Sequence, residues 1–381
     1  MRNSRGSNLK TLVITVNFKS SGLTLGAVQS VLDSASLGPV QMVVVDNSGD
    51  KEEAEKLRLG LPPGVALLLS PENIGFGRAC NLVFERFDGD QILLLNPDAR
   101  LLPDCLLRLQ KTLLSSRKIA AVSPQIFWDD GLKFYLPPSI PSLLFEFQSL
   151  FDAWGPHSPV SRLLSVIWRY HSIKVWRSKK PVRVNNLSGG LVLLRRDAAR
   201  KAGGLFDPRF FLYFEDIDLF IRLRKAGYTL VIEPRVRAVH YYDQCGQEDW
   251  GRKRLIMAQS HMVFLDKHYK GLKSSARKIM DQFMTCSAGE NHRGPKVDFT
   301  SPFVLEVPAR LQNGWLFEVS PNLSFTPSAG RFGRGPLVDF SEKYWSMLAP
   351  GQYFGRLGGP SRCGGYSGVI SWLVEGDIQQ R

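Results

Sequence analysis

Short runs of apolar residues, each about the length of a strand, recur through the first 270 residues with helical stretches between them. TLVITVN (11–17), VQMVVVD (40–46), VALLL (65–69), QILLLNPD (91–98), the stretch 119–127 and VNNLSGGLVLL (184–194) are apolar along most of their length and bounded by polar or glycine-bearing turns. The intervening residues 24–34 and 50–59 read as helices, and further helices open after Gly77 and after Pro103. Strands without polar alternation are buried on both faces. Their alternation with helices predicts an α/β fold built on a mostly parallel, Rossmann-like sheet. In such sheets ligands bind beyond the carboxyl ends of the strands.

Residues 210–228, FFLYFEDIDLFIRLRKAGY, stand out from this rhythm. An aromatic run (Phe210, Phe211, Tyr213, Phe214) leads into Glu215, Asp216 and Asp218. A helical pattern with Leu219, Phe220 and Leu223 on one face follows, closed by Ala226-Gly227. Two readings fit the acids. In one, Glu215 and Asp216 cap the helix and Asp218 forms an i,i+4 surface pair with Arg222. In the other, a carboxylate beside aromatic neighbours is a general base with a raised pKa. Beyond it, TLVIEP and RVRAVHYYD read as two short strands, the second carrying His240, and 250–269 as a long basic amphipathic helix.

Composition narrows the partners. The 381 residues carry 49 Lys and Arg against 35 Asp and Glu, a formal charge of +14, with 44% hydrophobic and 22% charged residues. This is a globular composition. The positive excess favours phosphate-bearing partners: nucleotides, nucleic acid or anionic lipid. The five cysteines (Cys80, Cys105, Cys245, Cys286 and Cys363) are scattered and form no C-x-x-C. That argues against a disulfide framework or a zinc site and for a reducing compartment. No apolar run reaches the roughly 18 residues that would span a bilayer. The basic N-terminus leads into a strand, so no signal peptide is expected. A cytoplasmic location follows, peripheral to a membrane if any.

Several strand ends carry candidate chemistry. Asp46 ends MVVVD, where it either forms an Asx turn or accepts a hydrogen bond from a nucleotide base or ribose. In NIGFGRACN (73–81), Gly75 and Gly77 either make an ordinary loop-to-helix turn or permit close backbone approach to a ligand; the stretch is neither a P-loop nor G-x-G-x-x-G. Asn96-Pro97-Asp98 ends QILLL, and Asp98 is either a turn aspartate or a carboxylate suited to a divalent cation that also binds a diphosphate. Ser188-Gly189-Gly190 enters the strand that follows it through a bulge or a close approach to ligand. His157 and His171 have no ligand-like spacing, whereas His240 at a strand end could serve a metal as neutral imidazole.

VITVNF, MVVVDNSGD, NIGFGRACN, LLLNPDA, LSGGLVLLRR and FFLYFEDIDLFIRLRKAGY with His240 downstream, in this order over roughly residues 10–270, resemble glycosyltransferase family 2. The members most similar are the rhamnosyltransferase-like enzymes of bacterial surface polysaccharide assembly. The resemblance implies an inverting enzyme of the GT-A fold with a nucleotide-diphosphate sugar donor, rhamnose favoured, and a glycan or polyprenyl-diphosphate-linked acceptor. It places Asp216 as the base, with Glu215 orienting it or contacting acceptor. Val16, Asn17, Asp46, Asn73, Gly75, Gly77, Asn81 and Asn96 fall on the donor side, and Ser188, Gly189 and Gly190 on the acceptor side. Asp98 and His240 would hold Mg2+ or Mn2+; many members have an acid where Asn96 stands. A nucleotidyltransferase and a non-catalytic nucleotide- or nucleic-acid-binding protein are the alternatives. VNFKSSGLTLG is a poor phosphate loop for the first, and the full set of acids argues against the second, so no nucleic acid is expected.

The expected division is a GT-A domain over 1–270, a linker over 271–300 and a small β-rich domain, sandwich-like, over 301–381. Within the first domain, 129–181 reads as a basic aromatic insertion. Its segment 161–180 fits either a solvated basic helix packed on the domain or a peripheral contact with an anionic membrane surface. In the C-terminal part Trp315, Phe317 and Val319 alternate, as do Ile370, Trp372 and Val374. Such aromatics serve more often as core than as a glycan-binding face.

Overall fold

The computed structural model describes residues 9–138, 159–241, 250–269, 297–361 and 366–375. His157, Cys245, Cys286, Cys363 and most of the expected linker lie outside these. The chain forms two compact units, one of Met1–Ile126 and Ser178–Arg277, the other of Phe127–Arg177 and Lys278–Arg381. Most of the 129–181 segment expected as an insertion in the first domain thus groups with the C-terminal β-rich part, as residues 127–177.

The first unit begins with β1 (Thr11–Asn17), α1 (Ser21–Leu32), β2 (Val40–Asp46), α2 (Lys51–Gly60), β3 (Ala66–Leu69), α3 (Phe76–Arg86) and β4 (Gln91–Leu95). β1 pairs in parallel with β2 and β4, and β2 with β3, so their carboxyl ends line one edge of the sheet. Every residue of β1 and β4 is buried, as their unbroken apolar sequence requires. Then follow β5 (Ala99–Leu101), α4 (Cys105–Leu114) and β6 (Ile119–Phe127).

The second unit contributes the next two elements, β7 (Phe134–Tyr135) and α5 (Pro159–Trp176), before the chain returns to the first with β8 (Val182–Val184), β9 (Leu191–Arg195), α6 (Arg196–Lys201), α7 (Glu215–Lys225), β10 (Thr229–His240) and α8 (Trp250–His268). β9 runs antiparallel to β4 along its whole length, and β6 antiparallel to β9. The two short strands expected over 229–243 are one strand, β10. It pairs with β8 through Leu230–Ile232 and with β5 through Ala238–His240, and Pro234 falls between these segments, where its missing N–H breaks neither ladder. The core joins Val13, Val44, Leu93 and Leu193 of the strands to Val28, Leu57, Leu106 and Leu109 of the helices.

The rest of the second unit is β11 (Phe303–Glu306), β12 (Trp315–Ser320), β13 (Ala329–Gly333), β14 (Leu337–Phe340), α9 (Glu342–Trp345), β15 (Gly351–Gly358) and β16 (Tyr366–Val374). The pairings β16-β15-β12-β13-β7 are all antiparallel, and β11 and β14 form a separate antiparallel pair. Phe303, Trp315, Phe317, Phe340 and Trp372 fill the core, so these aromatics are not a glycan-facing surface.

α5 departs from the picture of a solvated basic helix: it turns Arg169 inward. Glu318, fully buried on β12, accepts from Arg169 Nε at 2.8 Å and from Arg356 Nε and Nη2 at 2.9 Å each. Arg356 also lies over the Phe325 ring, 4.2 Å from its centroid. Two guanidinium groups therefore share one carboxylate out of water, and removing that carboxylate leaves both charges under-compensated. Glu318→Ala is expected to cost roughly 3–5 kcal/mol of stability, read as a lower denaturation midpoint by tryptophan fluorescence. A change under ~1 kcal/mol would contradict this account.

Candidate active site

At the carboxyl edge of the parallel strands Asn17 acts as a strut. Its Nδ2 donates to Asp46 Oδ1 (3.0 Å) and Glu53 Oε2 (3.4 Å), and its Oδ1 accepts from Thr24 Oγ1 (2.8 Å) and from the backbone and hydroxyl of Ser20. Asn17 therefore positions Asp46, with its amide fully engaged. Asp46 Oδ1 also accepts from Ser48 N, while Oδ2 has no hydrogen bond among the described residues. Glu53, which the sequence reading missed, accepts from the backbone and hydroxyl of Ser21. Burial pushes its carboxyl up, but the bonds from Asn17, Ser21 and Lys56 outweigh that and hold it below its ordinary value. Its signal in the sequence was weak, a Glu on a charged helix. Val16, one residue before the strut, is buried in the strand.

The glycine loop is tied to this edge. Asn47 Nδ2 donates to Asn73 Oδ1 (2.9 Å), Asn47 Oδ1 accepts from Ile74 N, and Asn73 Oδ1 accepts from Gly75 N. Gly75 is left-handed at φ +88°, and a Cβ there would lie 2.4 Å from the carbonyl oxygen of Phe211. Phe76 N donates to that same oxygen at 2.9 Å, which joins the loop to the aromatic run. Gly77 is looser, with Glu215 Cβ 3.8 Å from where its Cβ would stand. Asn81 uses both ends of its amide on the backbone of Phe206, donating to the carbonyl and accepting from the N–H. That assigns it to loop support.

The aromatic run enters α7 through two left-handed residues, Tyr213 (φ +70°) and Phe214 (φ +66°). Phe214 holds the N-cap position and makes no side-chain cap, while Glu215 and Asp216 stand in the first turn, where they complement the helix dipole. Non-glycine residues in this region are costly and persist where surrounding contacts hold them. Those contacts come from α8: Phe214 stacks on His261 (5.1 Å) and packs on Phe264, and Ser260 Oγ donates to the carbonyl of Leu212. Asp218 is no surface partner of Arg222. It is fully buried, with Arg222 Nε at 2.8 Å, Lys267 Nζ at 2.7 Å and His268 Nε2 at 2.8 Å. Lys267 also reaches Asp207 at 2.6 Å. This cluster fixes α7 against α8, and only the fold brings its members together.

Asp216 is aimed differently. Its Oδ2 accepts from Gly189 N (2.9 Å) and its Oδ1 from Ile217 N (2.8 Å). On the other side of the same turn, Gly190 approaches His240 and Asn96: a Cβ at Gly190 would lie 2.8 Å from His240 Cε1 and 3.0 Å from Asn96 Nδ2. A Cβ at Gly189 would lie 2.9 Å from Asp216 Cβ. Asn96 N donates to the Gly190 carbonyl (2.8 Å), and Ser188 Oγ accepts from Gly190 N (3.3 Å). His240 Nε2 lies 3.0 Å from Asp98 Oδ1, both residues buried. The turn Ser188–Gly190 therefore brings Asp216 together with the Asn96, Asp98 and His240 group. Among the described residues no cluster of three or more His, Cys, Asp or Glu makes a self-sufficient metal site. Asp98 and His240 are two converging donors, which fits a hard cation whose remaining ligands are phosphate oxygens and water.

The adjacent acids divide by environment. Burial pushes the Glu215 carboxyl up to about 8, with the charge of Asp216 adding to it, and Oε2 of Glu215 has no hydrogen-bond partner. Burial also raises Asp216, but the bonds from the backbone N–H groups of Gly189 and Ile217 oppose this and favour its ionised form. Both carboxyls therefore stand above their ordinary values, with the rise at Asp216 tempered by its backbone bonds. Cys80 is buried nearby, and burial with the Glu215 charge pushes its thiol well up, so it is inert.

An α/β sheet whose carboxyl edge gathers Asp46, the Gly75–Gly77 loop, the Asp98–His240 pair, Asp216 and the buried Glu215 has the architecture of a GT-A glycosyltransferase. Residues 12–201 match the family model described as Glycosyl transferase family 2, and this segment is a family 2 glycosyltransferase domain. The chain is 27% identical over 270 residues to an N-acetylglucosaminyl-diphospho-decaprenol L-rhamnosyltransferase of Mycobacterium tuberculosis (strain H37Rv), covering 68% of this chain and 85% of that protein. It is 30% identical over 178 residues to Rhamnosyltransferase WbbL of Escherichia coli (strain K12), covering 44% of this chain and 61% of that one. Among solved structures, GalNAc-T7 with UDP, GalNAc and Mn2+ aligns at a TM-score of 0.48 and 16% identity, over 72% of this chain and 51% of that one.

Glu215 makes stability pH-dependent. A carboxyl whose folded pKa lies above its ordinary 4.5 keeps a proton that the unfolded chain releases. Its contribution is therefore whole below about pH 4.5, declines as pH rises and is lost above about 8. Glu215→Gln, neutral at every pH, is expected to raise stability over the parent by roughly 1–3 kcal/mol at pH 9 and to change it little at pH 5. Melting curves at the two pH values check this, and an equal effect at both would refute it.

Proposed function

We propose that this protein is an inverting rhamnosyltransferase that moves rhamnose from a nucleotide-diphosphate donor, dTDP favoured, to a hydroxyl of a lipid-linked glycan in surface polysaccharide assembly. The donor and acceptor classes rest on the two rhamnosyltransferase relatives, one of them named for a diphospho-decaprenol acceptor. The observation that carries the chemistry is the Ser188–Gly190 turn, with Asp216 against Gly189 and Asn96 and His240 against Gly190.

In this reading Asp46, through Oδ2, accepts from the nucleotide base or ribose. Asn17 and Asn73 hold that edge in place, and Gly75 and Gly77 leave room for the donor. Asp98 and His240 are the residues that would hold Mg2+ or Mn2+, and Asn96 borders them. Such a cation, when bound, neutralises charge on the departing diphosphate. Asp216 takes the proton of the acceptor hydroxyl while that oxygen bonds to the anomeric carbon. The bond from this carbon to the diphosphate oxygen breaks, and the nucleoside diphosphate leaves with the electron pair. One displacement inverts the anomer. Glu215, neutral, contacts the acceptor or orients Asp216. The site works in the cytoplasm, at the inner face of the membrane that carries the acceptor.

Two variants test the assignment. Asp216→Asn keeps the shape and removes the base, so kcat should fall at least ~100-fold while the thermal shift with dTDP-rhamnose persists. Gly189→Ala presses on Asp216 and should lower kcat by roughly tenfold or more with donor binding retained. A transfer assay with labelled dTDP-rhamnose and a prenyl-diphosphate-linked N-acetylglucosamine reads both. Undiminished turnover by Asp216→Asn would remove it from the role of base. A thermal shift with UDP- or GDP-sugars but not with dTDP-rhamnose would replace the donor.

A further inference from the structure

α5 presents apolar residues outward at the spacing that ordinarily faces a core. Leu163 is 59% exposed, Val166 58%, Ile167 42% and Tyr170 45%. These are positions i, i+3, i+4 and i+7, one continuous stripe along the helix. The opposite face is already occupied: Trp168 and Ile173 are buried, Trp176 donates from Nε1 to the Leu136 carbonyl, and Arg169 is held by Glu318. The outward stripe is thus a second apolar face on a helix whose first face is packed. Exposed apolar side chains gathered in this way mark an interaction surface.

Charge indicates what covers it. Arg162 near the start of the helix and Lys174 and Arg177 at its end are exposed and bracket the stripe. Asp and Glu are absent between Asp152 and Asp197 in the sequence, while nine Lys and Arg fall there. Leucine, isoleucine and tyrosine between basic residues match the boundary of an anionic bilayer, with the rings and branched chains at the acyl edge and the cations among the headgroups. A second copy fits poorly. A two-fold contact through this face would set Arg162 and Lys174 against their own kind, and four side chains fall well short of the roughly 800 Å² per partner of a stable interface.

We propose that the Leu163–Val166–Ile167–Tyr170 stripe of α5, flanked by Arg162, Lys174 and Arg177, docks the protein on an anionic lipid bilayer. Its use, to hold the enzyme where a lipid-linked acceptor resides, rests on the rhamnosyltransferase reading; the docking itself does not. The test is co-sedimentation of the full chain with phosphatidylcholine vesicles, with and without phosphatidylglycerol. The parent should pellet with the anionic vesicles alone, and less as salt rises. The triple variant Leu163→Ser, Val166→Ser, Ile167→Ser should lose at least ~10-fold in partitioning with its melting temperature maintained, since those side chains are exposed. Arg162→Glu with Lys174→Glu should lower partitioning roughly twentyfold or more.

The docking proposal is overturned if the parent stays in the supernatant with both vesicle types, or if the triple variant binds as the parent does. It is equally overturned if the triple variant converts a dimer to a monomer in gel filtration, which would make the stripe an interface between copies. Transfer to a short-chain, water-soluble acceptor, measured on the same samples, keeps the two readings apart. Vesicle binding lost with transfer intact supports docking, and transfer absent from a parent that binds vesicles counts against the transferase reading alone.

Discussion

The site depends on one close approach of backbone to side chain. At Ser188–Gly190 the entry to a buried strand passes between Asp216 on one side and Asn96 and His240 on the other, and neither glycine has room for a Cβ. Because β9 is locked antiparallel to β4 from Gln91–Arg195 to Leu95–Leu191, the turn before β9 stands beside the Asn96–Asp98 turn that follows β4. Sheet register therefore decides which of these groups meet. The hydrogen bond from Gly189 N to Asp216 also acts electrostatically, since it favours the charged form of a carboxyl that burial pushes up.

Around this contact the protein is stiff where positioning matters. Asn17 spends its amide holding Asp46, and Asn47 and Asn73 lash the glycine loop to the same strand end. Behind α7, Asp218 gathers Arg222, Lys267 and His268, and Lys267 reaches on to Asp207. A helix entered through two left-handed residues would be poorly held by local forces, and this buried cluster supplies the restraint from outside. The result is a pair of neighbouring acids with unequal surroundings. Asp216 accepts from the backbone N–H groups of Gly189 and Ile217, whereas Glu215 Oε2 has no partner and its carboxyl is pushed up to about 8.

The second unit solves another problem. Its antiparallel strands are short and glycine-rich, yet its core holds several large aromatics and a buried carboxylate shared by two arginines. Arg169, which the sequence presents as one more cation in a basic run, joins α5 to β12. Among the described residues no helix is long and apolar enough to cross a membrane, so the outward stripe of α5 is a surface feature of a helix anchored from behind.

The strands of the first unit, their alternation with helices and the order of the motifs were legible in the sequence, because fully buried strands need unbroken apolar runs and turns need Asn, Asp, Gly and Pro. Most residues gathered at the carboxyl edge of the sheet were legible for the same reason, as they sit at strand ends or helix starts with local signatures; Glu53, on a charged helix, was not. Which of them touch was decided by the tertiary structure. Asp216 with Gly189, His240 with Asp98, Glu53 with Ser21 and Lys267 with Asp218 are contacts between 27 and 142 residues apart in the chain. No local pattern encodes them, because they arise from strand register and helix packing. The same holds for residues 127–177, whose place in the second unit follows from partners that arrive more than a hundred residues later.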